Sequence, residues 1–482
     1  MTQGLNFRRH GLYIVATLLL GACAVGPDYR QPPDVDIGEG WSQSPDSTTA
    51  RLELAQWWTS LDDPVLDRLV TDALSGNLSL RQAYARINEA RALRDRAAGG
   101  NAPVVDTSGS VTRRRQSENG PLPIASIPGL DRHQTIYDIG FDAAWEIDLF
   151  GQTSRTVERA DANLQATQAD AFAIRISVAA EVARTYLSFR GAQRELTARK
   201  SSVTTWQQTL DLVSHRFELG DASQAEVDTT QARLAAAEAA LPGIQARVRA
   251  AALGLGVLLG SPPEHELALL NTDVPEITLH AIPVGERAEV LRRRPDIRAA
   301  ERRLAARTAD IGVATAELFP KLSIAAGGGF QSLQSGDLFD TDSTRFSIVP
   351  LISWRLFDGG RVRAEIRATE ARQQQAALAY EQAVLTALND AERALSDYFF
   401  GLDAVKRQRL AVKAARQSYG HAKTRFDAGD IALTDLLIKE RALREAENNY
   451  VRIHTNAAIN LVALFKALGG GWDAGESEPN QG

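Results

Sequence analysis

The chain is poor in the residues on which catalysis, metal binding and disulfide scaffolds are built. Among 482 residues there is one cysteine, Cys23, so no disulfide competes for it. The seven histidines, at 10, 133, 215, 265, 280, 421 and 454, show no metal-ligand spacing. No GxSxG or Walker sequence occurs, and Gly327-Gly328-Gly329 sits in a strand pattern with no Gly-Lys after it. Those glycines fit close packing or strand curvature instead. The expectation is a protein without catalytic residues, cofactor or metal. Aromatics are only 6%, which disfavours large aromatic cores; alanine dominates the helical parts and favours close helix contacts. No basic tract exists, and net charge is −6, or −8 once Arg8 and Arg9 are removed with the first 22 residues. Nucleic acid is therefore not an expected partner.

Proline is absent from 129–241 and from 351–478, although the chain has 18 prolines. An interior proline costs a helix about 3 kcal/mol, so such runs suit very long helices. The first run holds a helix expected from near Gln152 to Gly220. At ~1.5 Å per residue it would be on the order of 100 Å long. Small residues line one seam of it at Ala162, Ala166, Ala169, Ala173, Ile176, Ala180, Ala183 and Leu187, with spacings of four and three. A second stripe runs through Val157, Ala160, Leu164, Ala171, Ile174 and Val178. Two seams call for a neighbour on each side, as in the wall of a cylinder, whereas a two-stranded coiled coil needs one.

The stretch Thr135–Asp221 is written twice. Its opening, TIYDIGFDAAWEIDL, alternates apolar Tyr137, Ile139, Phe141, Ala143, Trp145, Ile147 and Leu149 with polar or small residues. That is the mark of a strand with one apolar and one wet face. Adding 209 carries Trp145 to Trp354, Gly151 to Gly360, and Arg216-Phe217-x-x-Gly220-Asp221 to Arg425-Phe426-x-x-Gly429-Asp430. Pro103 matches Pro320 at an offset of 217, the difference falling in a shorter loop between the second pair of strands. The other strands are expected at Val104–Arg113, Leu322–Leu333 and Arg345–Phe357. Between them lie a helical region from Gln56-Trp57-Trp58, split at Gly76-Asn77, and a polar loop with Pro121, Pro123 and Pro128. A returning helix from Asp221 to Gly260 is interrupted at Pro242-Gly243, and a Pro-rich connection follows over Ser261–Pro283.

The N-terminus reads as a secretory leader. Arg8-Arg9-His10 precedes the apolar run Leu12–Leu20 and Gly21-Ala22-Cys23. The run is shorter than the ~20 residues of a spanning helix. Leu20-Gly21-Ala22-Cys23 resembles a bacterial lipobox that would acylate Cys23; the alternative is ordinary cleavage near Ala22. Domain boundaries follow: a leader at 1–22, a lipidated tether at 23–55, a first repeat at 56–260, a connection at 261–293, a second repeat at 294–472 and a polar tail at 473–482.

Four long amphipathic strands in a secreted chain suggest a membrane barrel, since every backbone group in a bilayer must be paired within protein. Single-chain barrels begin at about eight strands, so several chains would have to share one. The alternative is a small soluble sheet, against which stand the strand lengths and the aromatics Tyr137, Phe141, Trp145 and Trp354, expected to be exposed and suited to membrane interfaces. Several stretches also resemble one family: WWTSLDDPVLDRLVTDAL, RRPDIRAAERRLAARTADIGVATAELFPKLS, both RFxxGD turns and KALGGGW. They are similar to the TolC-like outer membrane factors of tripartite efflux pumps, in particular their NodT-type lipoprotein branch, and the resemblance covers nearly the whole mature chain.

The resemblance implies a mainly α-helical homotrimer. Its twelve-strand barrel would lie in outer membrane lipid and continue as a twelve-helix periplasmic tunnel. It would serve as a passive exit duct for drugs or small solutes, working with a periplasmic adaptor and an inner-membrane pump. It also implies that Arg216, Phe217, Gly220, Asp221 and Arg425, Phe426, Gly429, Asp430 form the adaptor-docking tip. Read as local chemistry alone, these are helix turns in which glycine takes positive φ and aspartate caps the next helix. Thr434, Asp435 and Ile438 would fall at the closed entrance, where three copies of Asp435 would attract cations; a solvated surface Asp is the alternative. Phe426 and Ile431 stand where some relatives carry a polar latch, and Ile438 where many carry Asp. A structural coiled-coil lipoprotein, or an exit duct for a secreted polypeptide, are the competing readings.

Overall fold

The computed structural model describes residues 24–32, 35–38, 40–42, 54–117, 131–271 and 276–473. The expected leader, Cys23, much of the expected tether, the loop with Pro121, Pro123 and Pro128, and the tail beyond 473 lie outside the described residues.

In chain order the elements are α1 (Pro64–Gly76), α2 (Leu78–Gly99), β1 (Val104–Arg115), β2 (His133–Ile147) and α3 (Gln152–Glu218). There follow α4 (Gln224–Ala239), α5 (Leu241–Leu258), α6 (Arg287–Arg293), α7 (Pro295–Ala316), β3 (Lys321–Ser332), β4 (Thr344–Ser353), α8 (Arg361–Asp427) and α9 (Leu433–Ala467). Helices α3 and α8 have 67 residues each, and one lies within each proline-free run. The returning helix is two pieces, with Pro242 at the start of α5 where its missing N–H costs nothing. The Pro-rich connection contains a 3₁₀ helix, Pro263–Asn271, which the pattern did not suggest. β4 stops at Ser353, four residues short of expectation, and β1 runs two residues further, to Arg115.

Two compact units form. The first comprises the described residues of 1–32, 88–166 and 301–379; the second comprises those of 33–87, 167–300 and 380–482. In the first, a four-stranded antiparallel sheet follows the order β1-β2-β3-β4. Register places Val105, Val111, Tyr137, Phe141, Trp145, Ile324, Phe346, Ile348 and Ile352 on one face. That face is open: Phe346 is 88% exposed. The opposite face carries Ser108, Asp138, Asp142 and Arg345. The glycine run serves close strand approach, because a Cβ on Gly140 would lie 3.2 Å from Gly329 Cα.

Below the sheet, Arg94 pairs with Asp161 at 2.8 Å and Arg159 with Asp310 at 3.1 Å, joining α2 and α7 to α3. The Ala162 part of the first seam packs against Ala305, Ala306 and Tyr29. The described start of the chain is extended and pinned. Val25 N–H donates to the Phe150 carbonyl (3.1 Å), and buried Arg155 donates to the Val25 carbonyl (3.2 Å) and to Asp28 (2.7 Å). A Cβ on Gly151, which has φ +79, would meet Ala24 Cα at 2.6 Å.

The second unit holds the main core, with Trp57 stacked on Phe465 at 4.8 Å, and a separate small cluster in which Trp472 packs against Phe172 at 4.5 Å. Asp63 caps α1 by accepting from Val65 and Leu66 N–H, and its other oxygen accepts from Tyr186 Oη at 2.8 Å. Two helix junctions here are built on one plan. Asn77 Nδ2 donates to the Leu258 carbonyl at the end of α5 (2.7 Å). Arg294, 217 residues on, donates to the Ala467 carbonyl at the end of α9 (3.2 Å). The short amide lets backbones touch, with Gly76 and Gly260 directly apposed. The longer guanidinium spans a gap instead, beside a cavity of about 500 Å³ lined by Arg294, Asp296, Asp390, Arg393 and Lys466.

Gly260 therefore has two reasons to be glycine: φ of +74 and the Gly76 carbonyl where a Cβ would go. Gly359 has φ +67 with nothing within 4 Å. Gly260→Ala should cost about 3 kcal/mol, against about 1 kcal/mol for Gly359→Ala. Denaturant unfolding followed by helical signal measures both, and equal losses would refute the junction's role.

Candidate functional site

The sequence singles out two places, the sheet and the turns that end α3 and α8. At the sheet, Phe141, Trp145 and Trp354 are exposed, while Tyr137 is half-buried and so differs from the expectation of an exposed ring. Trp145 Nε1 donates to the Asn101 carbonyl and Trp354 Nε1 to the Leu318 carbonyl, both at 3.0 Å. The two donors are 209 residues apart and the two acceptors 217, so one indole contact is made in each hairpin. Each ring exposes its apolar body with its N–H satisfied, the arrangement favoured at a membrane–water boundary. On the other face, Arg345 donates to Asp138 Oδ1 (2.6 Å) and Gln331 to Asp138 Oδ2 (2.7 Å), a polar ladder over three strands. The Asp138 carboxylate is thus held in lateral hydrogen bonds from two neighbouring strands.

Both turns close as Schellman motifs. Asp221 N–H donates to the Arg216 carbonyl (2.8 Å) and Gly220 N–H to that of Phe217 (3.0 Å). Asp430 N–H donates to the Arg425 carbonyl (2.8 Å) and Gly429 N–H to that of Phe426 (2.9 Å). Gly220 and Gly429 have φ of +78 and +80, as the glycine argument requires. The expected capping by aspartate is wrong: Asp221 and Asp430 contribute backbone N–H groups to the turn, and neither caps the helix that follows. Ser223 caps α4 in a reciprocal box with Glu226, whereas its counterpart Ala432 offers α9 no side-chain cap. Capping lies two residues further on because the Schellman turn uses up the residues before it.

The two turns differ in what they expose. Phe426 and Ile431 pack into a small core of Val213, Ala422, Leu433, Leu436 and Leu437. Phe217 and Leu219 stay outside, Leu219 being 65% exposed. Thr434, Asp435 and Ile438 share the outward face of α9, opposite that core, and Ile438 is 56% exposed. Asp435 occupies the position that Glu226 holds in the first capping box, but without a serine to answer it.

One residue here was not anticipated. Glu440, one turn below Leu436, is only 3% exposed. Its nearest cation is Arg444, with Nη2 3.9 Å from Oε1, too far for a hydrogen bond. Burial holds its carboxyl above the usual range, and Arg444 and Lys423 oppose that shift. The i,i+4 pairing with Arg444 was readable in sequence; the burial was not, because it comes from the helices around it.

Among the described residues no group of acids, histidines or cysteines could hold a metal ion, and no helix is long and apolar enough to cross a membrane.

A raised carboxyl pKa in the folded state means that Glu440 destabilises the tip once ionised. The penalty is absent below the unfolded carboxylate range and complete above the folded value. Glu440→Gln should therefore melt higher than wild type at pH 8, with the difference shrinking toward pH 4. A pH-independent difference, or a lower melting point at pH 8, would show that the Arg444 contact outweighs burial.

The chain matches the family model "Outer membrane efflux protein" over residues 69–261 and 287–470. It is 31% identical over 470 residues to outer membrane protein OprJ of Pseudomonas aeruginosa, covering 96% of each chain. To the toluene efflux pump outer membrane protein TtgF of Pseudomonas putida it is 30% identical over 485 residues, covering 98% of this chain and 99% of the relative. The solved structure of the outer-membrane channel OprN superposes with a TM-score of 0.83 at 37% identity, over 93% of this chain and 100% of that one. The chain belongs to the outer membrane efflux protein family, non-catalytic outer membrane channels that serve tripartite efflux pumps as exit ducts.

Proposed function

We propose that three copies of this chain close into one twelve-strand barrel, continued by a twelve-helix periplasmic tunnel through which drugs or other small solutes pass without chemistry. The observation that carries this reading is the sheet. Four strands expose an apolar face from Val105 to Ile352, and β1 and β4 each have one edge unpaired among the described strands. Such edges cannot stand in a bilayer, and four strands are too few to close alone. Copies of the same chain supply the missing neighbours with the same register chemistry.

An internal duplication accounts for the architecture, with a first repeat at 56–260, a connection at 261–293 and a second repeat at 294–472. The equal lengths of α3 and α8, the paired indole contacts and the paired Schellman turns support it. The adaptor is assigned to Arg216, Phe217, Gly220 and Asp221 with Arg425, Phe426, Gly429 and Asp430. Exposed Phe217 and Leu219 support the assignment, since apolar side chains at a helical tip suit a partner. Thr434, Asp435 and Ile438 are assigned to the entrance, where a ring of three Asp435 carboxylates would favour cations. The tripartite system supplies the adaptor and the inner-membrane pump.

Within the family we place the chain in the NodT-type lipoprotein branch, acylated at Cys23 after removal of 1–22, with 23–55 as the anchored segment and 473–482 as a tail. The pinning of Ala24 against Gly151, next to the end of β2, supports this, because it would hold an acyl chain on Cys23 beside the sheet. Mass spectrometry of the mature protein should find the acyl mass on Cys23, and none in Cys23→Ser, which should still assemble as a trimer. An unmodified Cys23 in wild type would remove the anchor from the proposal.

Purified wild type in planar bilayers should give small cation-selective steps, and Asp435→Ala should lose most of that selectivity. Conductance indifferent to Asp435 would keep the channel and move the entrance; inserted trimers that never conduct would overturn the duct with this entrance.

A further inference from the structure

We propose that Arg113 and Arg115 form a docking site for the phosphate-bearing headgroup of an outer-leaflet glycolipid, of the lipid A class, on the lipid side of the β1–β2 hairpin. The inference rests on the barrel reading above and adds a lipid partner to it. Its starting point is the run Arg113-Arg114-Arg115 at the end of β1. Strand alternation divides these three between two environments. Arg114 lies on the polar face and donates from Nε (3.1 Å) and Nη2 (2.8 Å) to Oε1 of buried Gln134. Arg113 and Arg115 share the other face with Val111, Val105 and, across the register, Tyr137 and Phe141. Both are exposed, and neither makes a hydrogen bond or ion pair with any described residue.

Two guanidinium groups without a partner among the described residues, on the apolar face of the sheet, need a reason. A lipid-facing arginine is costly at the bilayer midplane and nearly free of penalty near the interface. Their level can be read from the register. From Trp145 to Tyr137 is eight residues, ~27 Å along the strand and ~20 Å across a bilayer at a tilt of ~40°, close to the ~25 Å apolar band of such barrels. Arg113 pairs with Thr135 and Arg115 with His133, beyond Tyr137 and so past the band. This is the end of the sheet away from the strand ends that join α2 and α3, hence the outward side for a channel whose helices are periplasmic.

What lies at that level in the outer leaflet is a layer of phosphorylated headgroups. A guanidinium gives a phosphate two parallel charge-assisted hydrogen bonds, which makes arginine the side chain of choice there. Exposed His133 faces Arg115 across the strands and adds a third polar group. The second hairpin has no arginine on this face of its strand ends, where Phe330 and Ser332 close β3 and Thr344 opens β4. One patch per chain gives three per trimer, each beside the β1 edge where the next copy would join.

The test uses the full-length trimer in detergent with two probes, bisphosphorylated lipid A and the same lipid A stripped of its phosphates. Retention is read by native mass spectrometry. Wild type should prefer the phosphorylated lipid by about tenfold. Arg113→Gln/Arg115→Gln should lose the preference, while Lys406→Gln/Lys413→Gln, which removes two exposed charges from α8, should keep it. An unchanged preference in the arginine variant, or none in wild type, overturns the proposal. Displacement of the lipid by millimolar inorganic phosphate would assign the site to free phosphate and overturn the lipid assignment. Conductance separates this from the barrel reading. A conducting arginine variant keeps the barrel whatever the lipid result, whereas a wild type that never inserts overturns the barrel itself.

Discussion

Pairing of backbone hydrogen-bond groups is the constraint on which the rest of this chain depends. Inside a bilayer each unpaired N–H or C=O costs several kcal/mol, so a sheet there must have no edges. The described strands form a four-stranded sheet with two edges, apolar side chains on one face and a polar ladder of Asp138, Gln331 and Arg345 on the other. Alone, that sheet has neither a bilayer-compatible edge nor a closed core. The proposed trimer follows from the edges more than from the helices, since a helix satisfies its own backbone.

The two halves use similar chemistry with unequal details, and the inequalities separate structural from functional roles. Both long helices stop in the same Schellman turn, because glycine at positive φ lets two backbone N–H groups close on the last carbonyls. After the turn the halves diverge. Ser223 and Glu226 lock the start of α4, whereas α9 begins at uncapped Ala432 and turns Asp435 outward. The junctions diverge in the same sense. Asn77 draws its helix ends into backbone contact, and Arg294 leaves a cavity beside its own. The second half thus lacks a side-chain cap at the start of α9 and has a cavity beside the start of α7.

Much of the fold was legible in the sequence, because long elements repeat their pattern many times. Strand alternation and the first proline-free run identified β2 and α3 to within two residues of their ends, and the second run holds α8. The glycine positions of both turns followed from the need for positive φ. What failed was local and depended on neighbours. The carboxylates of Asp221 and Asp430 were expected to cap, but hydrogen bonding had already committed their backbones to the turn. Tyr137 was expected to be open, and neighbouring strands half cover it. β4 ended early at Ser353, although Trp354 and Leu356 continue its pattern.

By itself the sequence determined the kinds of element, their order and length, the apolar and polar faces of the strands, and the absence of any catalytic constellation. Those follow from periodicity and from residue chemistry within one element. Only the tertiary structure decided that Asp138 meets Arg345 from another hairpin, that Arg155 clamps the chain start at Val25 and Asp28, and that Glu440 is buried with its nearest cation 3.9 Å away. It alone showed that of three consecutive arginines only Arg114 is spent within the sheet. Each of these facts depends on which distant residue comes to lie alongside, and distance along the chain carries no record of that.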